Sequence, residues 1–270
     1  MPNPPERVPG TAAPEVAAIF ADICAVSHVP AVNSVWRQIA AVPVALEWTW
    51  RSVRPLVVSA DMDAARSRVA RAISLPQLEN RTRAELASAD VNAESLPRIR
   101  AILATFLRGN LINLIALTAL RLRMDVISPF DAETSPTDAE PFAGSPAAQS
   151  SRTTALTSYS IALTKRLAAK HETIGDSFTP GLYLALAQWP GLLAALPEWL
   201  GPLYAPDAMR MARQSAVRAA ETEAIAMNPH DGPIPAESRN IRPLVERFAR
   251  FVIPEMIPVS LALDRLISSA

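Results

Sequence analysis

The chain has 270 residues, half of them hydrophobic, with 26 basic and 26 acidic side chains and a formal net charge of zero. Such a chain can bury one or two cores of ordinary size, and its mixed charges leave no basic stripe for nucleic acid or a membrane surface. Cys24 is the only cysteine, which excludes a disulfide, a thiol pair and a cysteine metal cluster, and the near-absence of lysine beyond Lys165 and Lys170 fits a GC-rich bacterial genome.

Residues 1–14 hold five prolines and read as a disordered arm without the basic and apolar regions of a signal peptide, so a cytoplasmic protein is expected. The first dense polar cluster follows in HVPAVNSVWRQIA, where Asn33, Ser34, Trp36 and Arg37 are embedded among apolar residues. Pro43 and Pro55, and later Pro190 and Pro202, fall at regular intervals and suit the first turns of new helices. Glu47, within PVALEWTW, reads as an ion-pairing surface residue. Ser59 followed by Asp63 reads as the start of a helix that runs through AARSRVARA to Ile73, with Ser59 as cap.

Ala84, Leu86 and Ala87 belong to another helix former. Ile99, Ile102, Leu103, Phe106, Leu107 and Asn110 then recur at the spacing of a buried helical stripe. Asn110 and Asn113, three apart, share one helical face. A buried amide without partners costs a few kcal/mol, so these either bond across helix seams or line a wet pocket. The apolar run Leu111 to Leu120 is interrupted by Asn113 and is too short to span a bilayer. Residues 127–152 are acidic and proline-rich and read as a linker. Helical patterns resume after it, and Pro254 and Pro258 are expected to kink or split the last helix. Period-two alternation is almost absent, so the fold class is all-α.

A shift of 147 residues matches the chain to itself. Ten identities fall in positions 40–72, among them Pro43 on Pro190, Leu46 on Leu193, Met62 on Met209 and Arg66 on Arg213. A chance match in a chain of this composition would give roughly a tenth of positions. Ile99-Arg100, Phe106 and Arg108 continue the match onto Ile241-Arg242, Phe248 and Arg250 at a shift of 142. Two tandem helical repeats, 15–126 and 153–270, are therefore expected to form an intramolecular pseudo-dimer, with a pocket for a small ligand on the seam. Association into a homodimer is left open.

No HExxH pair, Walker or dinucleotide glycine pattern or G-x-S-x-G elbow is present, and His28, His171 and His230 lie far apart. No metal or cofactor is expected. The segment VPAVNSVWRQIAAVPVALEWTWRSVRPL and its echo TPGLYLALAQWPGLLAALPEWLGPLY resemble the group I 2-haloacid dehalogenase family. The most specific pieces are VN-x-x-WR, L-A-x-W-P at Leu186 to Pro190, and R-G-N at Arg108 to Asn110, within a likeness that runs from about Glu15 to Leu266.

The resemblance implies an all-helical hydrolase built of two repeats. It implies a pocket for a small organic acid and attack of an activated water on the α-carbon of a short 2-halocarboxylate. Asn33, Ser34, Trp36, Arg37, Ser59, Asn110 and Tyr183 are the substrate-site candidates. The family places its aspartate base directly before the aromatic residue that precedes the W-P proline by seven. Here that position is Leu182, and its first-copy equivalent, 182 − 147 = 35, is Val35. Asp176, six residues earlier, and Asp63 are the acids left to take the role. A non-catalytic relative that keeps the fold and binds small carboxylates is the alternative.

Overall fold

In a computed structural model the described residues are 12–127, 156–174, 178–227 and 240–268, and all regular structure among them is helical. The arm up to residue 11, the linker beyond Ile127, Asp176 and His230 lie outside them. The first helices are α1 (Pro14–Ser27), α2 (Ser34–Ile39), α3 (Pro43–Val57), α4 (Met62–Ala72), α5 (Arg83–Ser88) and α6 (Ser95–Ile127). After the linker come α7 (Ser158–Ala168), α8 (Gly181–Leu186), α9 (Pro190–Trp199), α10 (Gly201–Tyr204), α11 (Pro206–Ala226), α12 (Arg242–Arg247) and α13 (Ile253–Ser268).

Local chemistry accounts for many of the boundaries. Pro14, Pro43, Pro190, Pro202 and Pro206 occupy first turns, where a missing N–H costs nothing. Thr82 and Glu85 form a reciprocal capping box at α5, and the side chains of Asn33 and Thr157 cap α2 and α7. Pro55 departs from the expectation: it sits inside α3, not at a junction. Only Leu56 and Val57 follow it before the helix ends, so it interrupts a last turn that is already running out of partners.

Pro254 and Pro258 do not split the last helix either. The chain instead widens into a π turn over Phe248–Val252, where the Ile253 N–H donates back to the Phe248 carbonyl, and then continues as α13. The extra residue in that turn rotates everything downstream by about 100°. Ser59 is not the immediate cap of α4, which Asp61 precedes; the Ser59 hydroxyl accepts from the Asp61 N–H at 3.2 Å.

α6 is the central strut. Its 33 residues span about 50 Å at 1.5 Å each, and α1, α3, α4, α8, α11, α12 and α13 all pack on it. Every residue from Asn110 to Arg121 is buried, so this stretch is apolar all round because it is surrounded. The helix is long and apolar enough by length and composition to cross a bilayer, which corrects the shorter run read from the sequence; its packing inside the protein accounts for that character.

Contacts between the parts before and after the linker are numerous. The Arg68 guanidinium forks onto the Glu223 carboxylate with two 2.7 Å bonds, and Arg121 reaches Glu221 at 2.6 Å. Arg100 donates to the Ile267 carbonyl, and the Asp90 carboxylate accepts from the Gly191 N–H at 2.7 Å. That last bond caps the start of α9 from a loop 101 residues away.

Candidate functional site

Among the described residues, two of the polar clusters in the apolar interior bear on the site. The first joins α2 to α6. Asn33 caps α2 through its Oδ1, which accepts from the Val35 N–H and the Ser34 hydroxyl, while its Nδ2 donates to Asn110 Oδ1 at 3.0 Å. One turn further along α6, Asn113 Oδ1 accepts from the Trp36 indole N–H at 2.9 Å.

Trp36 meets Trp50 edge to face at 5.5 Å, and the Trp50 N–H donates to Asp22, which a two-pronged Arg54 also holds. The Arg54 hydrogen bond is the main reason the Asp22 carboxyl lies below its ordinary range; burial works against it. The amides thus find their partners across the α2–α6 seam. Ser34, Trp36, Arg37, Asn110 and Asn113 are all buried there.

Leu182 and Tyr183, in α8, are buried as well. A leucine side chain cannot accept a proton, so position 182 supplies no base. Asp63 lies on the surface of α4, its side chain 70% exposed, with Arg66 at 2.5 Å and Arg108 at 3.6 Å. The Arg66 hydrogen bond and charge pull its carboxyl down, which favours the carboxylate and weakens it as a proton acceptor. Ser59 is partly exposed in the turn before α4. The structure therefore gathers Asn33, Ser34, Trp36, Arg37 and Asn110 on α2 and α6, and leaves Ser59 and Asp63 at the surface. Glu47 pairs with Arg51 on the exposed face of α3, as read from the sequence.

The second cluster escaped the sequence reading. His171, in the turn after α7, is fully buried. Its Nδ1 lies 3.2 Å from Glu255 Oε2, and its Nε2 lies 2.6 Å from the Tyr183 hydroxyl. The Tyr183 hydroxyl is in turn 3.1 Å from that of Tyr204, the last residue of α10. Glu255 Oε1 accepts from Arg213 of α11 at 2.7 Å. Glu255 lies three residues beyond the end of the π turn, and the rotation that turn imposes sets the face on which its carboxylate lies.

Burial raises the Glu255 carboxyl, but the His171 hydrogen bond and the charges of His171 and Arg213 outweigh it and hold the group below its ordinary range. With Glu255 charged, Nδ1–H donates to it, and Nε2 is hydrogen-bonded to the Tyr183 hydroxyl. Burial, with Tyr204 adding to it, pushes Tyr183 well up, and burial pushes Tyr204 up too, so both remain neutral hydroxyls.

A cleft of about 150 Å³ adjoins this cluster, bordered by Lys170, His171, Glu172, Tyr204, Pro206 and Met209. No residue expected from the sequence to contact substrate borders it; Tyr183 reaches it only through Tyr204. Among the described residues no group of three or more His, Cys, Asp or Glu side chains is arranged to hold a metal ion.

No family model matches the chain, and no curated protein matches it. Solved structures do. A D-2-haloacid dehalogenase mutant in complex with D-2-CPA superposes with a TM-score of 0.68 at 19% identity, covering 100% of this chain and 99% of that one. A D-2-halacid dehalogenase mutant gives 0.69 at 18% identity over 97% and 95% of the two chains. A complex of D-2-haloacid dehalogenase with L-LA gives 0.66 at 19% identity over 97% and 95%. The fold is shared from end to end.

Proposed function

We propose that this chain is a 2-haloacid dehalogenase-like protein that binds short 2-substituted carboxylic acids between two tandem helical repeats, and that its hydrolytic activity is weak or absent. The observation that carries the reading is a likeness over the whole chain combined with a buried leucine at position 182, where the resembling family has its base. The related structures contain D-2-CPA and L-LA, which is why a small carboxylic acid is the ligand proposed here.

The repeat reading is supported by the element boundaries. Adding 147 to α2, 34–39, gives 181–186, the span of α8; adding it to α3, 43–57, gives 190–204, the span of α9 and α10 together. At the shift of 142, Asn113 corresponds to 113 + 142 = 255, and at 147 Trp36 corresponds to 36 + 147 = 183. The Trp36–Asn113 bond of the first repeat thus has its counterpart in the Tyr183–His171–Glu255 chain of the second. In this proposal Asn33, Ser34, Trp36, Arg37 and Asn110 contact the ligand, Arg37 or the amides taking its carboxylate. Ser59 and Asp63, at the surface, are left out.

Halide release from both enantiomers of 2-chloropropionate tests the reading. The native chain is expected to turn over weakly or not at all, since loss of a positioned base costs roughly 10²- to 10⁴-fold. Leu182→Asp is expected to gain release, and short carboxylates to raise the melting temperature of the native chain. Native turnover as fast as that of Leu182→Asp would favour a hydrolase using another base. Absence of both turnover and any thermal shift would remove the carboxylate site altogether.

A further inference from the structure

The cleft beside α7, α10 and α11 is bordered by three kinds of group. Pro206 and Met209 form an apolar wall, Lys170 and Glu172 flank the buried His171 in the turn after α7, and Tyr204 contributes an aromatic ring and a hydroxyl. Tyr204 is firmly placed. Its ring meets His171 edge to face at 5.8 Å, and its hydroxyl is bonded to that of Tyr183. His171 is bonded in turn to Tyr183 and to Glu255, which Arg213 anchors. A hydroxyl has one hydrogen to give and two lone pairs to fill. With Tyr183 as partner, either direction of that bond leaves the Tyr204 oxygen capacity for a second one.

The charges at the border are of both signs. Lys170 is exposed and, among the described residues, has no ion-pair partner. Glu172 is 66% exposed and lies 4.0 Å from Arg213 Nη1, at the outer limit of an ion pair, while Arg213 is committed to Glu255 at 2.7 Å. A ligand carrying only negative charge would meet Glu172, and one carrying only positive charge would meet Lys170 and Arg213. A small frame that carries both charges answers both side chains.

We propose that this cleft is a second ligand site, taking a compact zwitterion of the α-amino acid type, with its carboxylate on Lys170, its ammonium on Glu172 and its side chain against Pro206 and Met209. The Tyr204 hydroxyl supplies the second partner for whichever ionic end lies against it. A volume of about 150 Å³ is that of a cavity able to hold a benzene-sized ring, which is room for the carbon skeleton of such a molecule.

The site is peculiar to the later part of the chain. At the 147-residue shift Tyr204 falls on 204 − 147 = 57, a buried valine, so the hydroxyl that serves this cleft has no counterpart in the earlier matched segment. None of the bordering residues belongs to the α2–α6 seam, and the site stands or falls independently of the carboxylate reading.

The test uses full-length protein with carbon-13-labelled methionine methyl groups and L-valine as the probe. The Met209 methyl signal is expected to shift saturably with L-valine, while that of Met62, its counterpart at the 147-residue shift, stays in place. N-acetyl-L-valine, which lacks the ammonium, and isobutylamine, which lacks the carboxylate, should each bind roughly tenfold or more weakly. Lys170→Gln and Glu172→Gln, both at exposed positions, should each weaken L-valine by a similar factor. 2-Chloropropionate should leave the Met209 signal unmoved even where it raises the melting temperature, so the two sites can fail separately. A Met209 signal indifferent to L-valine, an analogue that binds as tightly as L-valine, or undiminished binding in either variant would each overturn the proposal. If a variant fails to fold, the two analogues on the native chain decide.

Discussion

Single residues set the sharpest limits in this molecule. Glu255 is a carboxylate with no exposed surface, held by His171 and Arg213. Removing one partner from a buried charge pair leaves the other uncompensated, so Glu255→Leu is expected to cost about 3–5 kcal/mol in urea unfolding. The acid limb of stability follows from the same group. Its carboxyl lies lower in the folded than in the unfolded chain, as does that of Glu223 under the Arg68 fork. Their contribution is therefore complete above the ordinary carboxylate range of about 4.3 and is lost as pH falls through the folded values. Urea midpoints should be flat near neutrality and drop in acid, with a shallower drop in Glu255→Leu.

Gly191 is limited by space. A Cβ there would lie 2.5 Å from Asp90 Oδ2 and 2.9 Å from the Ala89 carbonyl carbon, and Asp90 already sits at φ 61°. Gly191→Ala is expected to push the cap away and cost about 1–3 kcal/mol, read from the same unfolding curve.

At the scale of helices, what the sequence made legible was whatever depends on neighbours in the chain. The stripe from Ile99 to Asn110 does lie within one helix, and Pro43 and Pro190 do open helices, because spacing and a missing N–H act locally. Pro55 was misplaced because the same local rule cannot tell a first turn from a last one. The last helix was expected to kink or split at Pro254 and Pro258; it does not split, and a π turn, which no periodicity announces, precedes both prolines.

The extent of α6 was also underestimated, since Asn113 reads as an interruption until Trp36 is seen to satisfy it. That pairing gives a prediction at this scale. Trp36→Phe removes the donor and leaves Asn113 Oδ1 buried without its partner, at a cost of about 1–3 kcal/mol beyond the lost packing. A double-mutant cycle with Asn113→Leu should recover part of it. Leu114→Ala, at a fully buried position of the strut, should cost about 2–5 kcal/mol by calorimetry or urea.

For the whole molecule, the all-helical class could be read from pattern, and the end-to-end likeness to solved dehalogenase structures agrees with the fold that the sequence resemblance implied. The seam amides were also legible, as buried polar residues that had to be answered. The cluster around His171 was not. Its members come from positions 171, 183, 204, 213 and 255, and no spacing in the chain links them. One signal was present: a single acid, Glu255, in the run FVIPEMIPVSLAL, where an unanswered charge would be intolerable. A lone charge inside an apolar helix asks for a partner elsewhere, and here that partner was a histidine 84 residues away.

The enclosure of α6 also has a consequence in time. Its wrapping includes α11, α12 and α13, so its apolar surface cannot be covered until the chain has been extended from residue 127 to 268, a further 141 residues. At about 5–20 residues per second a ribosome takes roughly 7–28 s over that distance. Throughout that interval the nascent protein carries a helix hydropathic enough to pass for a membrane segment. A chain arrested at residue 127 is expected to sediment with aggregates or remain bound to trigger-type chaperones, while the completed chain elutes free. For this protein, then, the hazard of manufacture lies in the order in which its strut and its covering helices are delivered.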